Sequence, residues 1–157
     1  MDKVPITPEG YRRMEEELRR LKTVERPAVV RAIAQAREHG DLSENAEYHA
    51  ARDRQSFIEG RMAELEDKVS RAEVIDPSQV SGDKVMFSAQ VTVVDEESDE
   101  ESCYRIVGQD ESDVAQGRLS IASPLARAMI GKSVGDQIEV DAPGGARYYE
   151  IVKIDYA

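Results

Sequence analysis

The chain has 157 residues, 34% of them charged and only 5% aromatic, with no Trp; that suits a long charged helix beside a small sheet rather than one large aromatic-rich core. A formal net charge of -11 excludes nucleic-acid binding by bulk electrostatics, so any such role must be local or pass through another protein. A single cysteine, Cys103, excludes an intramolecular disulfide and a Cys-based zinc site. The opening MDKVPITPEG has no apolar core of a signal peptide, and no apolar run nears the about 18 residues of a membrane span. A cytoplasmic protein is the expectation.

Thr7 followed by Pro8 marks a helix start, an N-cap and then Pro at the first helical position. Apolar residues then recur at Tyr11, Met14, Leu18 and Leu21, the spacing of a coiled coil. Pro27 is expected to kink this arm. Gly40 ends the helix, and Asp41 or Ser43 is expected to cap the next. A second heptad-like run follows at Ile58, Met62, Leu65, Val69 and Ala72.

Two helices joined by a short turn run antiparallel, so the numbers of facing residues have a nearly constant total. That total is 83 for Tyr11 with Ala72, Met14 with Val69, Leu18 with Leu65 and Leu21 with Met62. It is 82 for Val24 with Ile58, and again 83 for Ala28 with Gln55 and Ala32 with Ala51. The fold-back point therefore lies between Asp41 and Leu42. Arms of roughly 30 residues give a hairpin about 45 Å long. Small residues at 28, 32, 36, 46, 50 and 51 predict a slim distal half.

At the turn, Asp41 and Glu44 are spaced to face one direction. Two readings stand here. Carboxylates near a helix N-terminus are favoured by the helix dipole, and on spacing alone such capping is the simpler account, for Glu47 as well. Alternatively, two converging carboxylates hold part of a hard-cation site. They are too few for Mg²⁺ alone, which takes six oxygens, but they can complete a site whose other ligands belong to a partner. Arg31, Arg37, Arg52 and Arg54 lie near the turn, where they form a solvated ion-paired face or touch phosphate. His39 and His49 are weak metal-ligand candidates and conceivable general bases.

The segment from Asp76 to Asp83, with its Pro, Gly and small polar residues, reads as a linker. Residues 1–77 carry 14 basic and 17 acidic side chains; residues 78–157 carry 7 and 15, so the second half holds most of the net negative charge. Residues 84–87, 90–94, 104–107, 137–140 and 148–154 read as strands, rich in β-branched side chains. The acidic run 95–101 between two of them reads as a solvated hairpin loop. Ser123-Pro124 opens a short helix that Gly131 ends, and Pro143-Gly144-Gly145 is a turn. No nucleophile motif surrounds Ser123, Ser133 or Cys103, and Cys103 is expected to be a small buried strand residue. The fold class is therefore α+β: a helical hairpin over 1–76 with its acidic tip at 41–44, a linker over 77–83, and an antiparallel sheet domain with one short helix over 84–157.

The stretch from Ala36 to Arg52, AREHGDLSENAEYHAAR, closely resembles the GreA/GreB family of bacterial transcript cleavage factors. Tyr104–Gly108, Ser123–Arg127 with Ile130-Gly131-Lys132, and Pro143-Gly144-Gly145 resemble the family's second signature, in the same order and spacing. The resemblance covers essentially the whole chain. It implies an FKBP-like second domain that docks on the rim of bacterial RNA polymerase, and a coiled coil inserted through the secondary channel. It implies that Asp41 and Glu44 help hold a Mg²⁺ shared with the polymerase active site, with no metal bound stably by the chain alone. The polymerase would then hydrolyse its own backtracked RNA 3′ end, so that the chain is not itself the enzyme. It matches Arg37 and Arg52 to the family's basic patch against RNA, and leaves DNA contact to the polymerase complex. Ser43 stands where the family commonly has Lys, which implies altered efficiency, and limited basicity near the tip implies short released fragments. The alternative is an FKBP-like isomerase or chaperone with a helical arm; the low aromatic content argues against it.

Overall fold

The computed structural model describes residues 2–41, 44–79 and 82–156. The chain divides into two compact units, Tyr11–Arg71 and Asp2–Gly10 with Ala72 onward. The division thus falls at Gly10 and Ala72 rather than in the 77–83 segment, because short strands at both edges of the hairpin pair with one another.

The first unit is the helical hairpin. Helix α1 spans Pro8–Arg20, a five-residue π-helical turn spans Leu21–Glu25, α2 spans Arg26–Arg37, and α3 returns over Ala46–Arg71. The centre between Arg37 and Ala46 lies between residues 41 and 42, where the apolar spacing put the fold-back. At 1.5 Å per residue α3 is about 39 Å long. The seam buries Leu21, Val29, Ile33, Ala51, Ile58, Met62 and Leu65, with Met14, Leu18 and Tyr48 packed against them.

The distal seam differs from the one expected. Val24 is 49% exposed, and Ala28 and Ala32 are exposed along the groove between the arms, while Val29, Ile33 and Ala36 are buried. The reason is the π turn. Arg26 donates its N–H to the carbonyl of Leu21, five residues back, so one extra residue is taken up before α2. Pro27 directly follows and has no N–H to continue the α ladder. Proline is therefore accommodated by a widened turn, and the seam advances by one residue. Beyond it Val29 and Ile33 stand in the seam where Ala28 and Ala32 were expected, each one residue later.

Outside the seam, charges pair between the arms. Arg61 grips Glu17 through two bonds of 2.6 and 2.9 Å, and also meets Glu64 at 3.1 Å. Lys22–Glu66, Arg26–Glu59 and Arg54–Glu25 also cross between arms. The hydrogen bond from Arg61 holds the Glu17 carboxyl below its ordinary range, with partial burial opposing it. Glu17 therefore contributes stability above the usual glutamate pKa, which is lost as pH falls through its depressed value. These exposed pairs are each worth roughly 0.2–1 kcal/mol.

The second unit holds two sheets. Strand β1 (Val4–Ile6) pairs in parallel with β2 (Ala72–Val74). The larger sheet contains β3 (Gln90–Asp95), β4 (Glu101–Val107), β5 (Arg118–Ser120), β6 (Gln137–Ala142) and β7 (Gly145–Asp155), in the order β5-β4-β3-β7-β6. All its pairs are antiparallel except β4–β5, which is parallel, so the sheet is mixed rather than purely antiparallel. Residues 84–87 form only a bridge from Lys84 to Ser133, and not a strand. Val85, Val91, Val93, Ile106 and Ile151 are fully buried, with Ala126 and Met129 of helix α4 (Pro124–Met129) packed among them. Ser123 caps α4 by accepting from Ala126 N–H at 3.2 Å. The acidic run links β3 to β4, Asp95 accepting from the Glu97 and Ser98 amides.

Within this unit a buried carboxylate binds the N-terminal segment. Glu111, 8% exposed, accepts from Thr7 N–H at 3.1 Å and Gly108 N–H at 2.8 Å, and from the Thr7 hydroxyl. Thr7 in turn caps α1 by accepting from Gly10 N–H at 3.1 Å. A Cβ on Gly10 would stand 2.2 Å from the Glu111 carboxylate, which is why a side chain is excluded there. Cys103 is exposed, not buried, and its sulfur accepts from the Gln90 amide at 3.2 Å; its strand position turns it to the outer face.

Candidate functional site at the hairpin tip

The site is built on the turn from α2 to α3. Arg37 is the last residue of α2, and the chain turns through Gly40, whose φ of +97° lies in a region that glycine alone enters without strain. Asp41 and Glu44 follow, both exposed, and both line one open hollow with His39, Asn45, Ala46 and Glu47. Both expected carboxylates thus border the same hollow. Leu42 and Ser43 lie outside the described residues, as does the expectation that Ser43 caps α3.

The cap of α3 is Asn45, not Asp41. Its Oδ1 accepts from Tyr48 N–H at 2.9 Å, the bond of an N-cap to the third helical residue. Asp41 stands too far ahead of Ala46 to do this. Asn45 Nδ2 also donates to the Ala36 carbonyl at 2.6 Å, which reaches across the turn to the end of α2. Sequence reasoning missed this residue. Its signal is an Asn directly before a helical run, which Asp41 and Ser43, capping residues of the same kind, precede in the chain.

The basic residues are placed differently. Arg37 and Arg52 are both exposed near the tip, but neither lines the hollow. The Arg37 guanidinium carbon lies 6.0 Å from the centre of the Tyr48 ring. Arg54 is engaged within the hairpin by Glu25 at 3.5 Å and by Phe57, whose ring centre is 5.4 Å away. Arg31 is exposed on α2. His39 reaches Glu47 at 3.5 Å, and His49 meets Tyr48 edge-on at 5.6 Å.

As metal ligands the tip carboxylates are hard oxygen donors of the type Mg²⁺ takes. They are too few to enclose it, and among the described residues no three His, Cys, Asp or Glu side chains converge as a metal cluster. The tip fits one part of a site completed by other donors. Among the described residues no helix is long and apolar enough to cross a membrane.

Residues 4–74 match the family described as "Transcription elongation factor, N-terminal", and residues 79–156 match "Transcription elongation factor, GreA/GreB, C-term". The chain is 62% identical over 156 residues to "Transcription elongation factor GreA" of Caulobacter sp. (strain K31), covering 99% of each. It is equally similar, over the same share of each, to the protein of that name from Rhodospirillum rubrum. Among solved structures, the "GreA factor homolog 1 (Gfh1) protein of Thermus thermophilus" is 28% identical, with a TM-score of 0.44 over 98% of this chain and 99% of that one. With both of its halves matched and relatives this similar end to end, the chain belongs to the GreA/GreB family of transcription elongation factors.

Proposed function

We propose that this protein binds bacterial RNA polymerase, enters its secondary channel with the helical hairpin, and stimulates the polymerase's intrinsic cleavage of a backtracked RNA 3′ end. The single observation that carries this reading is the pairing of Asp41 and Glu44 at one hollow on the turn, with too few ligands to act alone. Their carboxylates would complete the coordination of a Mg²⁺ held otherwise by the polymerase and the RNA. A Mg²⁺ in such a site supplies charge stabilisation to the attacking and leaving oxygens of phosphodiester hydrolysis. Asp41 and Glu44 orient and hold; they form no covalent bond, and the chain contributes in trans to another protein's reaction. Arg37 and Arg52, exposed near the tip, would meet phosphates of the extruded RNA. The second unit, with its FKBP-like fold, supplies the docking surface on the polymerase rim. The protein works in the cytoplasm, where its polymerase is.

The test uses polymerase halted on a template that favours backtracking, with RNA labelled at its 5′ end and Mg²⁺ present. The protein is expected to shorten the RNA by a few nucleotides, and extension then resumes on adding nucleotides. Asp41→Asn with Glu44→Gln is expected to abolish shortening while leaving the helical circular dichroism unchanged. Equal cleavage by that double variant would overturn the reading.

A further inference from the structure

We infer that Asn45 is the positioning residue of the tip, its side-chain amide tying the first turn of α3 to the last turn of α2 and so setting where Asp41 and Glu44 stand; this rests on the function proposed above. The amide faces two ways. On one side Tyr48 N–H needs an acceptor, and Oδ1 supplies it at 2.9 Å. On the other the Ala36 carbonyl needs a donor, and Nδ2 supplies it at 2.6 Å. Ala36 is 2% exposed, so the anchor at that end belongs to the packed part of the hairpin. Its carbonyl accepts from His39 N–H at 3.1 Å as well, and both its lone pairs are thereby used.

Both carboxylates belong to the segment that this clamp closes, Glu44 directly next to Asn45 and Asp41 four residues before it. An aspartate would cap α3 equally well but would set a carboxylate oxygen against the Ala36 carbonyl oxygen. A serine hydroxyl would cap α3 but would not reach across the turn. The two halves of the role are therefore separable by substitution. The bonds of Asn45 go to the backbone on either side of the carboxylates, so its expected share lies at the low end of the about 10–100-fold in metal affinity carried by groups that hydrogen-bond metal ligands directly.

The experiment compares wild-type protein, Asn45→Ser and Asn45→Ala by three readouts. Circular dichroism and melting report the cap: the Ser variant is expected to melt within a few degrees of wild type, and the Ala variant lower. Line broadening of the Asp41 and Glu44 amides on titration with Mn²⁺, in the free protein, reports the carboxylate pair. In the Ser variant the same broadening is expected to need about tenfold more Mn²⁺. In the cleavage assay the Ser variant is expected to need correspondingly more Mg²⁺ for half-maximal shortening, with the maximal rate recovered at high Mg²⁺. A Ser variant with wild-type Mn²⁺ titration and Mg²⁺ requirement would overturn the inference and leave Asn45 a helix cap only. If wild-type protein itself fails to shorten RNA, the proposed function fails, and the Mn²⁺ titration still decides the role of Asn45.

Discussion

Ser88 stands at φ +71° with its side chain fully buried, and among the described residues its hydroxyl has no hydrogen-bond partner. Two costs meet there. A left-handed backbone on a residue with a Cβ costs roughly 1–2 kcal/mol, and a buried hydroxyl without a partner adds about 1–3 kcal/mol. Ser88→Gly removes both and returns part of the gain as unfolded-chain entropy. It is expected to stabilise the second unit by about 1 kcal/mol, read as a raised urea midpoint with unchanged slope; a lowered midpoint would refute it. Neither cost is visible in the sequence, where Ser88 simply follows a run, 84–87, that reads as a strand. Asn45 carries the same lesson. Asn, Asp and Ser are nearly equal as caps, so local preference does not separate them. Only the Ala36 carbonyl, nine residues back, makes the amide the group that serves both sides.

At the level of elements, the π turn decides which residues form the distal seam. Five residues there occupy the length that about four occupy in an α-helix, so deleting one returns the arm to α geometry without rotating α2, but leaves Pro27 inside an uninterrupted helix. Val24, half exposed, is the residue to remove. The deletion variant is expected to melt several degrees below wild type, as followed by circular dichroism, because a proline inside an α-helix costs about 3 kcal/mol. Unchanged melting would show that the π turn does not serve to accommodate Pro27. Strand β7 holds a comparable irregularity. Thr92 pairs with Lys153 but Val93 with Ile151, which leaves Val152 as the extra residue of a bulge. The bulge turns both Ile151 and Ile154 toward the core, and so accounts for an apolar spacing that strict alternation does not.

For the molecule as a whole, the sheet unit is assembled from both sides of the hairpin. β1 and Thr7 precede it and β2 follows it, and Glu111 binds Thr7 across 104 residues of sequence. A fragment that begins at Pro77 lacks the partners of Glu111, so its carboxylate loses the two donors from Thr7. A chain in which Asp2–Gly10 is joined to Ala72 onward by about eight Gly and Ser residues keeps them. The joined chain is expected to melt about 5 °C or more above the fragment by circular dichroism of the sheet. Equal melting would show that the N-terminal segment contributes nothing to this unit.

The sequence by itself determined the hairpin, the position of its tip and four of the five strands of the larger sheet. These follow from local rules: heptad spacing, a turn glycine and β-branched runs act within a few residues of one another. It also determined that Asp41 and Glu44 share the turn, since they are three residues apart beside it. Tertiary structure decided the rest. It decided the phase of the seam beyond Leu21, because Pro27 is accommodated against a partner helix whose apolar residues are already in place. It decided the three-residue strands β1, β2 and β5, which are too short to show a period and exist only where a neighbour offers hydrogen bonds. It decided the burial of Glu111 and the two-sided bonding of Asn45, because the groups that satisfy them are brought close only when the chain has folded.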